Sequence, residues 1–204
     1  MSLFALPAFP DPANAVFWDD FISATYNTRV WAVTGTGSIT SLDQVGGRIR
    51  VRATAGNTYR FNHGNYGAYS VAAKAQVTWR TSLLVPTGGT GGSVECGLQA
   101  TSNPTTNKIC FQAIRGTANY QCLCQSGGVG SPVDSGIAVD TNPHNFFIET
   151  LTGSVNFYID GVLRANITSD IPSSTLQPYV NCAGSTTVVA DANVDWVQVT
   201  GVRA

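Results

Sequence analysis

The sequence is short of charge, and above all of lysine and glutamate. Only 11% of the 204 residues are charged, where roughly 25% is usual for a soluble domain. Lysine occurs only as Lys74 and Lys108, and glutamate only as Glu95 and Glu149. A net charge of −1 supplies no field that would capture nucleic acid or an anionic membrane, so we expect neither as a partner.

Residues that favour helices are also scarce, whereas β-branched and turn-forming residues dominate. The chain contains 23 Thr, 21 Val, 21 Gly and 16 Ser. This composition excludes a helical bundle and predicts an all-β protein. Disorder is excluded as well, because 43% hydrophobic residues are enough to build a core.

The cysteines do not form a recognisable metal or disulfide pattern. Their number is odd and no Cys-x-x-Cys pair occurs among Cys96, Cys110, Cys122, Cys124 and Cys182. His63 and His144 lie in different segments, so a zinc site is not expected. We predict buried thiols in a chain made in a reducing compartment, with one or two disulfides as the alternative.

The first fifteen residues predict an extended arm rather than a regular element. Prolines at positions 7, 10 and 12 interrupt the apolar residues, and no basic region precedes them, so we expect no signal peptide. An arm over residues 1–15 would pack on its own domain or on a neighbour. Residues 16–204 then form one domain.

From Val16 onward the hydrophobic pattern has a period of two, which predicts strands. Residues 69–85 alternate throughout and are predicted to form one long strand. Residues 154–168 predict a hairpin, because Asp160-Gly161 between two alternating runs is typical of a type I′ turn. About a dozen strands in one domain indicate an antiparallel sandwich or barrel.

Three short motifs carry a family resemblance. They are FWDDF at 17–21, FYIDGV at 157–162 and VDWVQV at 194–199. Together and in this order they resemble the concanavalin A-like lectin/glucanase jelly roll, which includes laminin-G-like domains and laminarinase-type glucanases. The resemblance implies an antiparallel β-sandwich whose first and last strands lie side by side. Such domains also occur on phage virions, as head decorations, fibres and tail adhesins.

Glucanases of this family carry their carboxylates in an E-x-D-x-E or E-x-D-x-x-E pattern. Alternate positions on a strand bring the carboxylates to one face, as hydrolysis with retention requires. Glu95 and Glu149 each have no other acidic residue within four positions. We therefore predict that the chain is not an enzyme, although two glutamates brought together from different strands would be an alternative.

A candidate glycan-binding loop follows Arg60. Asn and His side chains there could reach sugar hydroxyls while a tyrosine ring stacks on a pyranose. The candidates are Tyr59, His63, Asn65, Tyr66 and Tyr69. The alternative is a tight connection whose tyrosines cover the edge of the core.

A candidate calcium site is suggested by Asp19, Asp20 and Asp195, since the family fold makes their strands neighbours and carboxylates suit Ca²⁺. The alternative is that Asp19 and Asp20 are exposed and Asp195 pairs with an arginine. No other cofactor is expected.

The arginine row Arg48, Arg50 and Arg52 predicts a solvated strand face, or a contact with an acidic partner. Four tryptophans are expected in the core, at positions 18, 31, 79 and 196.

These observations favour a non-catalytic virion structural protein, a phage capsid decoration (cement) or fibre protein assembled in the host cytoplasm. Its partners would be other virion proteins or copies of itself, together with a cell-surface glycan. The alternatives are a free extracellular lectin or adhesin, and a glycoside hydrolase or lyase whose site the sequence does not reveal.

Overall fold

The computed structural model describes residues 17–21, 26–43, 47–63, 69–70 and 74–201. Within these ranges the chain forms sixteen β-strands and no helix. The strands are β1 (Phe17–Asp19), β2 (Trp31–Gly35), β3 (Gly37–Asp43), β4 (Arg48–Ala53), β5 (Thr58–His63), β6 (Tyr69–Ser70), β7 (Gln76–Leu84), β8 (Ser93–Ala100), β9 (Lys108–Ile114), β10 (Asn119–Gln125), β11 (Val133–Ala138), β12 (His144–Leu151), β13 (Ser154–Ile159), β14 (Val162–Ile167), β15 (Thr175–Ala183) and β16 (Ala190–Thr200). A search of the same ranges finds no helix able to cross a bilayer.

The strands form two antiparallel sheets. The first sheet has the order β14-β13-β12-β7-β16-β4-β3, and β1 also pairs with β16. The second has the order β11-β10-β9-β8-β15-β5-β2, and β6 also pairs with β15. The predicted all-β, antiparallel jelly-roll sandwich is confirmed. The first and last strands lie side by side, with Phe17 opposite Val199.

The core lies between the sheets and is rich in aromatic rings. Phe111 of the second sheet packs against Phe146 and Phe157 of the first, with ring centroids 5.0 and 5.2 Å apart. Trp31 stacks on Phe61 at 4.3 Å. Because each strand alternates inward and outward side chains, the opposite face of each sheet carries the polar residues.

The predicted single strand over residues 69–85 is wrong. Tyr69–Ser70 pairs with β15 in the second sheet, whereas Gln76–Leu84 pairs with β12 and β16 in the first. Lys74, just before β7, has a φ of 56°, which breaks an extended conformation. Two strands of different sheets share the period of two, so the alternation alone does not separate them.

Other local predictions are confirmed. At the turn between β13 and β14, Asp160 and Gly161 have φ values of 51° and 80°, as a type I′ turn requires. All five cysteines are free and buried. The predicted arm, residues 1–15, lies outside the described residues.

The arginine row of β4 is paired within its own sheet. Arg48 contacts Asp195 at 2.6 Å and Arg52 contacts Asp191 at 2.7 Å. Trp31 and Trp79 are buried as expected. Trp196 is only half-buried, because the register shift between Val194 and Trp196 moves it out of the inward series.

Candidate functional site

The outward side chains of the second sheet form a continuous layer, which we call the polar face, and most of the side chains at its centre are buried. On β8, Val94, Cys96 and Leu98 point into the core, so Glu95, Gly97 and Gln99 point outward. Through strand pairing, each of these three residues belongs to one row of outward residues that crosses the sheet. The first row is Thr34, Arg60, Asn181, Glu95, Gln112, Gln121 and Asp134; the middle row is Ala32, Asn62, Tyr179, Gly97, Cys110 and Leu123; the third is Gln177, Gln99, Lys108 and Gln125.

The middle row is apolar at its centre. Cys110, Leu123 and Tyr179 form a small buried cluster that is separate from the core. Gly97 lies among them, and a Cβ there would come 2.2 Å from the Ile109 carbonyl oxygen. The close approach of β9 therefore requires glycine at this position. The result is an apolar strip between two polar rows, and this strip has no side chain at Gly97.

Glu95 occupies the centre of the polar face. The Lys108 Nζ donates to Glu95 Oε1 at 2.7 Å, and the Tyr179 hydroxyl donates to Oε2 at 3.0 Å. Because Lys108 belongs to the third row, this ion pair crosses over the Gly97 row. The side chains of Lys108 and Glu95 are only 14% and 9% exposed, so the pair is largely shielded from water.

The surroundings shift the pKa values of the neighbouring groups. Burial alone would lower the pKa of Lys108, but Cys110 and the charge and hydrogen bond of Glu95 raise it overall. Burial, with Cys110 and Glu95 nearby, raises the pKa of the Tyr179 hydroxyl well above its usual value. Tyr179 therefore stays a neutral hydrogen-bond donor to Glu95 at physiological pH.

Several polar atoms of the polar face are buried without a partner. They are Arg60 Nε, Gln99 Oε1, Gln125 Oε1 and Asn181 Oδ1. The residues Gln99 and Asn181 are only 1% and 8% exposed. Arg115, Arg164 and Ser174 also have a buried side-chain atom without a partner, so such atoms are not confined to the polar face.

The outer face of the first sheet holds the second glutamate. There, Glu149 accepts hydrogen bonds from Gln76 at 3.1 Å, Asn156 at 3.1 Å and the Tyr158 hydroxyl at 3.3 Å. The second glutamate is thus held by its own neighbours. The two glutamates lie in different sheets, so the structure does not bring them together.

A second carboxylate close to Glu95 is missing from the described part of the polar face. Its other acidic residue is Asp134, three strands away, or roughly 14 Å at the usual strand spacing. Two-carboxylate hydrolysis needs about 5–5.5 Å with retention and about 6.5–9.5 Å with inversion. Glu95, Gly97 and Gln99 alternate as in the glucanase pattern, but only the first is a carboxylate.

The described residues of the predicted glycan loop do not form a glycan-binding surface. Tyr59, His63 and Tyr69 are all buried, and the His63 ring contacts Phe17 at 4.5 Å. Tyr59 and His63 lie on the inward side of β5, in alternation with Arg60 and Asn62. Asn65 and Tyr66 lie outside the described residues.

The predicted calcium site is not assembled either. Asp19 accepts hydrogen bonds from Trp31 Nε1 at 2.6 Å and from the Phe21 amide at 2.9 Å. Asp195 pairs with Arg48 and with Arg80 at 3.2 Å, as the alternative interpretation expected. In the described ranges no three His, Cys, Asp or Glu side chains, Asp20 included, form a group able to hold a metal ion.

Sequence reasoning missed the polar face, although a signal for it exists. Gln121 and Gln125 alternate with buried positions on β10, as Gln177 and Asn181 do on β15. Carboxamide side chains four residues apart on two strands, with an apolar or aromatic outward residue between them, indicate a polar surface that is not simply solvated. Which strands lie beside Glu95 could not be predicted from the alternation.

No protein-family model matches the sequence, and no curated protein matches it. Solved structures do resemble the fold. An endo-1,3-β-glucanase from Streptomyces sioyaensis has a TM-score of 0.69 and 15% identity, covering 97% of this chain and 100% of its own. An endo-acting O-glycanase of the human gut microbiota that initiates mucin breakdown has a TM-score of 0.68 and 16% identity, covering 93% and 100%. The carbohydrate recognition domain of Emp47p has a TM-score of 0.67 and 12% identity, covering 95% and 99%.

The prediction that the chain is not an enzyme is contradicted by this comparison. Glycoside hydrolases recur among the similar structures, so this fold gives no ground for excluding catalysis. The prediction rested on the isolation of each glutamate along the chain. The spacing of acidic residues along the chain does not show which residues strand pairing places around Glu95.

The fold of this chain is thereby established from its own strands and from its neighbours. The two eight-stranded antiparallel sheets and the similarity to glucanases and to a carbohydrate recognition domain agree with the resemblance in the sequence. The chain has the concanavalin A-like lectin/glucanase jelly-roll fold.

Proposed function

We propose that the chain is a carbohydrate-active protein and that the polar face is its glycan-binding site. The observation that carries the proposal is the set of polar side chains that strand pairing places around Glu95 on the outward side of the second sheet. A pyranose presents an apolar face and a rim of hydroxyls, which donate and accept hydrogen bonds. The polar rows suit the rim of hydroxyls, whereas Tyr179 and Leu123 between them are only 1% and 5% exposed and offer little surface to the apolar face.

Hydrolysis of the bound glycan at Glu95 is the second candidate activity. It is supported by the endo-glycanases among the similar structures and by the central place of Glu95 on the polar face. Lys108 and Tyr179 both donate to the carboxylate and fix its position at the centre of the polar face. Binding and hydrolysis would share the same surface.

A comparison of the two glutamates tests both candidates. Glu95→Gln and Glu149→Gln are matched variants on opposite sheets, and binding and release of reducing ends are measured on β-1,3-glucan, mixed-linkage β-glucan and mucin O-glycans. We expect Glu95→Gln to weaken binding about tenfold and to reduce turnover by about 10²-fold or more. Glu149→Gln should retain both. Binding without turnover in the wild type would leave a lectin, and equal losses in the two variants would refute the polar face as the site.

The virion role is a further proposal that rests on the sequence. The composition and the proline-containing arm support attachment to other virion proteins or to further copies of the chain, and the residues of the arm lie outside the described ranges. Deletion of residues 1–14 should abolish assembly with partner subunits while the sandwich stays folded. Assembly by the shortened chain would show that the arm has no such role.

A further inference from the structure

We infer that the polar face selects acidic glycans, whose carboxylate or sulfate group binds Arg60. The inference rests on the proposed glycan-binding function and names its substrate class. It starts from a cationic side chain that the protein leaves without a counterion in the middle of a row of polar residues.

Strand pairing places Arg60 close to the centre of the polar face. Arg60 lies opposite Asn181, which in turn lies opposite Glu95. Two strand spacings, roughly 10 Å, separate the backbones of Arg60 and Glu95. A glycan lying along this row would therefore contact both residues with neighbouring sugar units.

The unpaired atoms of Arg60 and Asn181 are complementary. Arg60 Nε is a buried donor with a full positive charge, and Asn181 Oδ1 is a buried acceptor on the adjacent strand. The guanidinium of Arg60 is only half-buried and can meet an anionic group of a sugar, whereas Asn181, at 8% exposed, would have to turn outward to accept from a hydroxyl. A neutral sugar would leave the charge of Arg60 without a counterion.

The neighbouring charged residues also leave Arg60 without a counterion. The charge of Lys108 is matched by Glu95 at 2.7 Å, whereas Arg60 has no ion pair within the described residues. Arg60 is near enough to lower the pKa of Lys108 by charge repulsion, although burial and the favourable charges act more strongly. Arg60, Lys108 and Glu95 together thus carry one unmatched positive charge.

Three arginines of the first sheet have a carboxylate partner, whereas Arg50 contacts the side-chain amide of Asn193 at 3.4 Å. Arg48, Arg52 and Arg80 each contact an aspartate at 2.6 to 3.2 Å. Arg164, on the edge strand β14, also has a buried Nε without a partner, but it lies in the first sheet. It therefore provides a control for an unpaired arginine outside the site.

The test compares acidic with neutral glycans on Arg60→Gln, Arg164→Gln and the wild type. Dissociation constants for oligogalacturonate (carboxylate), a sulfated galactan oligosaccharide (sulfate) and laminarin oligosaccharide (neutral) are measured by calorimetry at low and moderate salt. A charge-assisted, two-pronged contact of arginine with an anion predicts that the wild type binds at least one acidic glycan about tenfold or more tightly than laminarin. Which acidic glycan binds more tightly identifies the anionic group.

Arg60→Gln should lose this preference, because its affinity for the acidic glycan should fall about tenfold more than its affinity for laminarin, and Arg164→Gln should keep the preference. Arg60→Lys should retain only part of the preference for acidic glycans, since lysine keeps the positive charge but lacks the planar guanidinium that binds an anion through two hydrogen bonds. Equal affinity of the wild type for all three glycans, or an unchanged preference in Arg60→Gln, would overturn the inference and leave glycan binding intact. Failure of the wild type to bind any glycan, here and in the glutamate comparison, would overturn the proposed function as well.

Discussion

The ion pair between Lys108 and Glu95 gives the sharpest test of how the polar face is built. Its side chains are 14% and 9% exposed, and Nζ lies 2.7 Å from Oε1. Replacing Lys108 with methionine keeps the aliphatic stem but removes the ammonium group. Glu95 would then keep the Tyr179 hydroxyl as its donor in a place that water hardly reaches.

The expected cost follows from this burial. Removing one partner of a buried pair costs about 3–5 kcal/mol, because the other charge remains unmatched. Since Tyr179 still donates to Glu95, we expect the lower end, about 3 kcal/mol. Equilibrium unfolding in urea, followed by tryptophan fluorescence at pH 7, measures the loss. The double variant with Glu95→Gln should cost less than the two single changes added together, because it removes both charges.

An exposed pair provides the control. Arg48 is 46% exposed, and its partner Asp195 retains Arg80 when Arg48 is changed. Arg48→Met should therefore cost less than about 1 kcal/mol. Equal costs for Lys108→Met and Arg48→Met would refute the conclusion that the Glu95 pair is shielded from water.

The pH dependence gives an independent check. Burial lowers the pKa of Lys108, but Cys110 and Glu95 raise it above its ordinary value overall. The stability from this shift is therefore fully present below the unfolded pKa of about 10.4 and is lost as the pH rises through the higher folded pKa. Between about pH 10 and pH 12 the wild type should progressively lose its advantage over Lys108→Met, with little change below pH 10. A constant difference in melting temperature across this range would contradict the assignment.

Two further predictions concern the strip and the thiols. Gly97→Ala places a Cβ 2.2 Å from the Ile109 carbonyl oxygen and should cost about 3 kcal/mol or more in urea unfolding. Gly116→Ala, whose Cβ would have no atom within 4 Å, should cost only about 1 kcal/mol, and equal costs would argue against the close approach. Burial raises the pKa of Cys110 and Cys122 to about 12, so iodoacetamide at pH 8 should label no cysteine of the folded protein and all five in urea. Prompt labelling of the folded protein, measured by intact mass, would contradict the buried placement.

Much of the fold could be predicted because its causes are local. The turn at Asp160-Gly161 follows from two residues that tolerate positive φ, and the alternation around it follows from the pleat of a strand. The inward position of His63 could have been predicted in the same way, since it continues the alternation of Tyr59 and Phe61. The break between Tyr69 and Gln76 could not, because strands of different sheets share one period.

The candidate site could not be predicted, because its contacts join residues that are distant along the chain. Tyr179 is 84 residues from Glu95, and Arg60 reaches the same row only because β15 pairs with β5 on one side and with β8 on the other. The residue sequence by itself determined that the chain forms strands with polar outward positions. Only the tertiary structure decided which outward positions share one face, since strand order and register are set by packing of the whole sandwich.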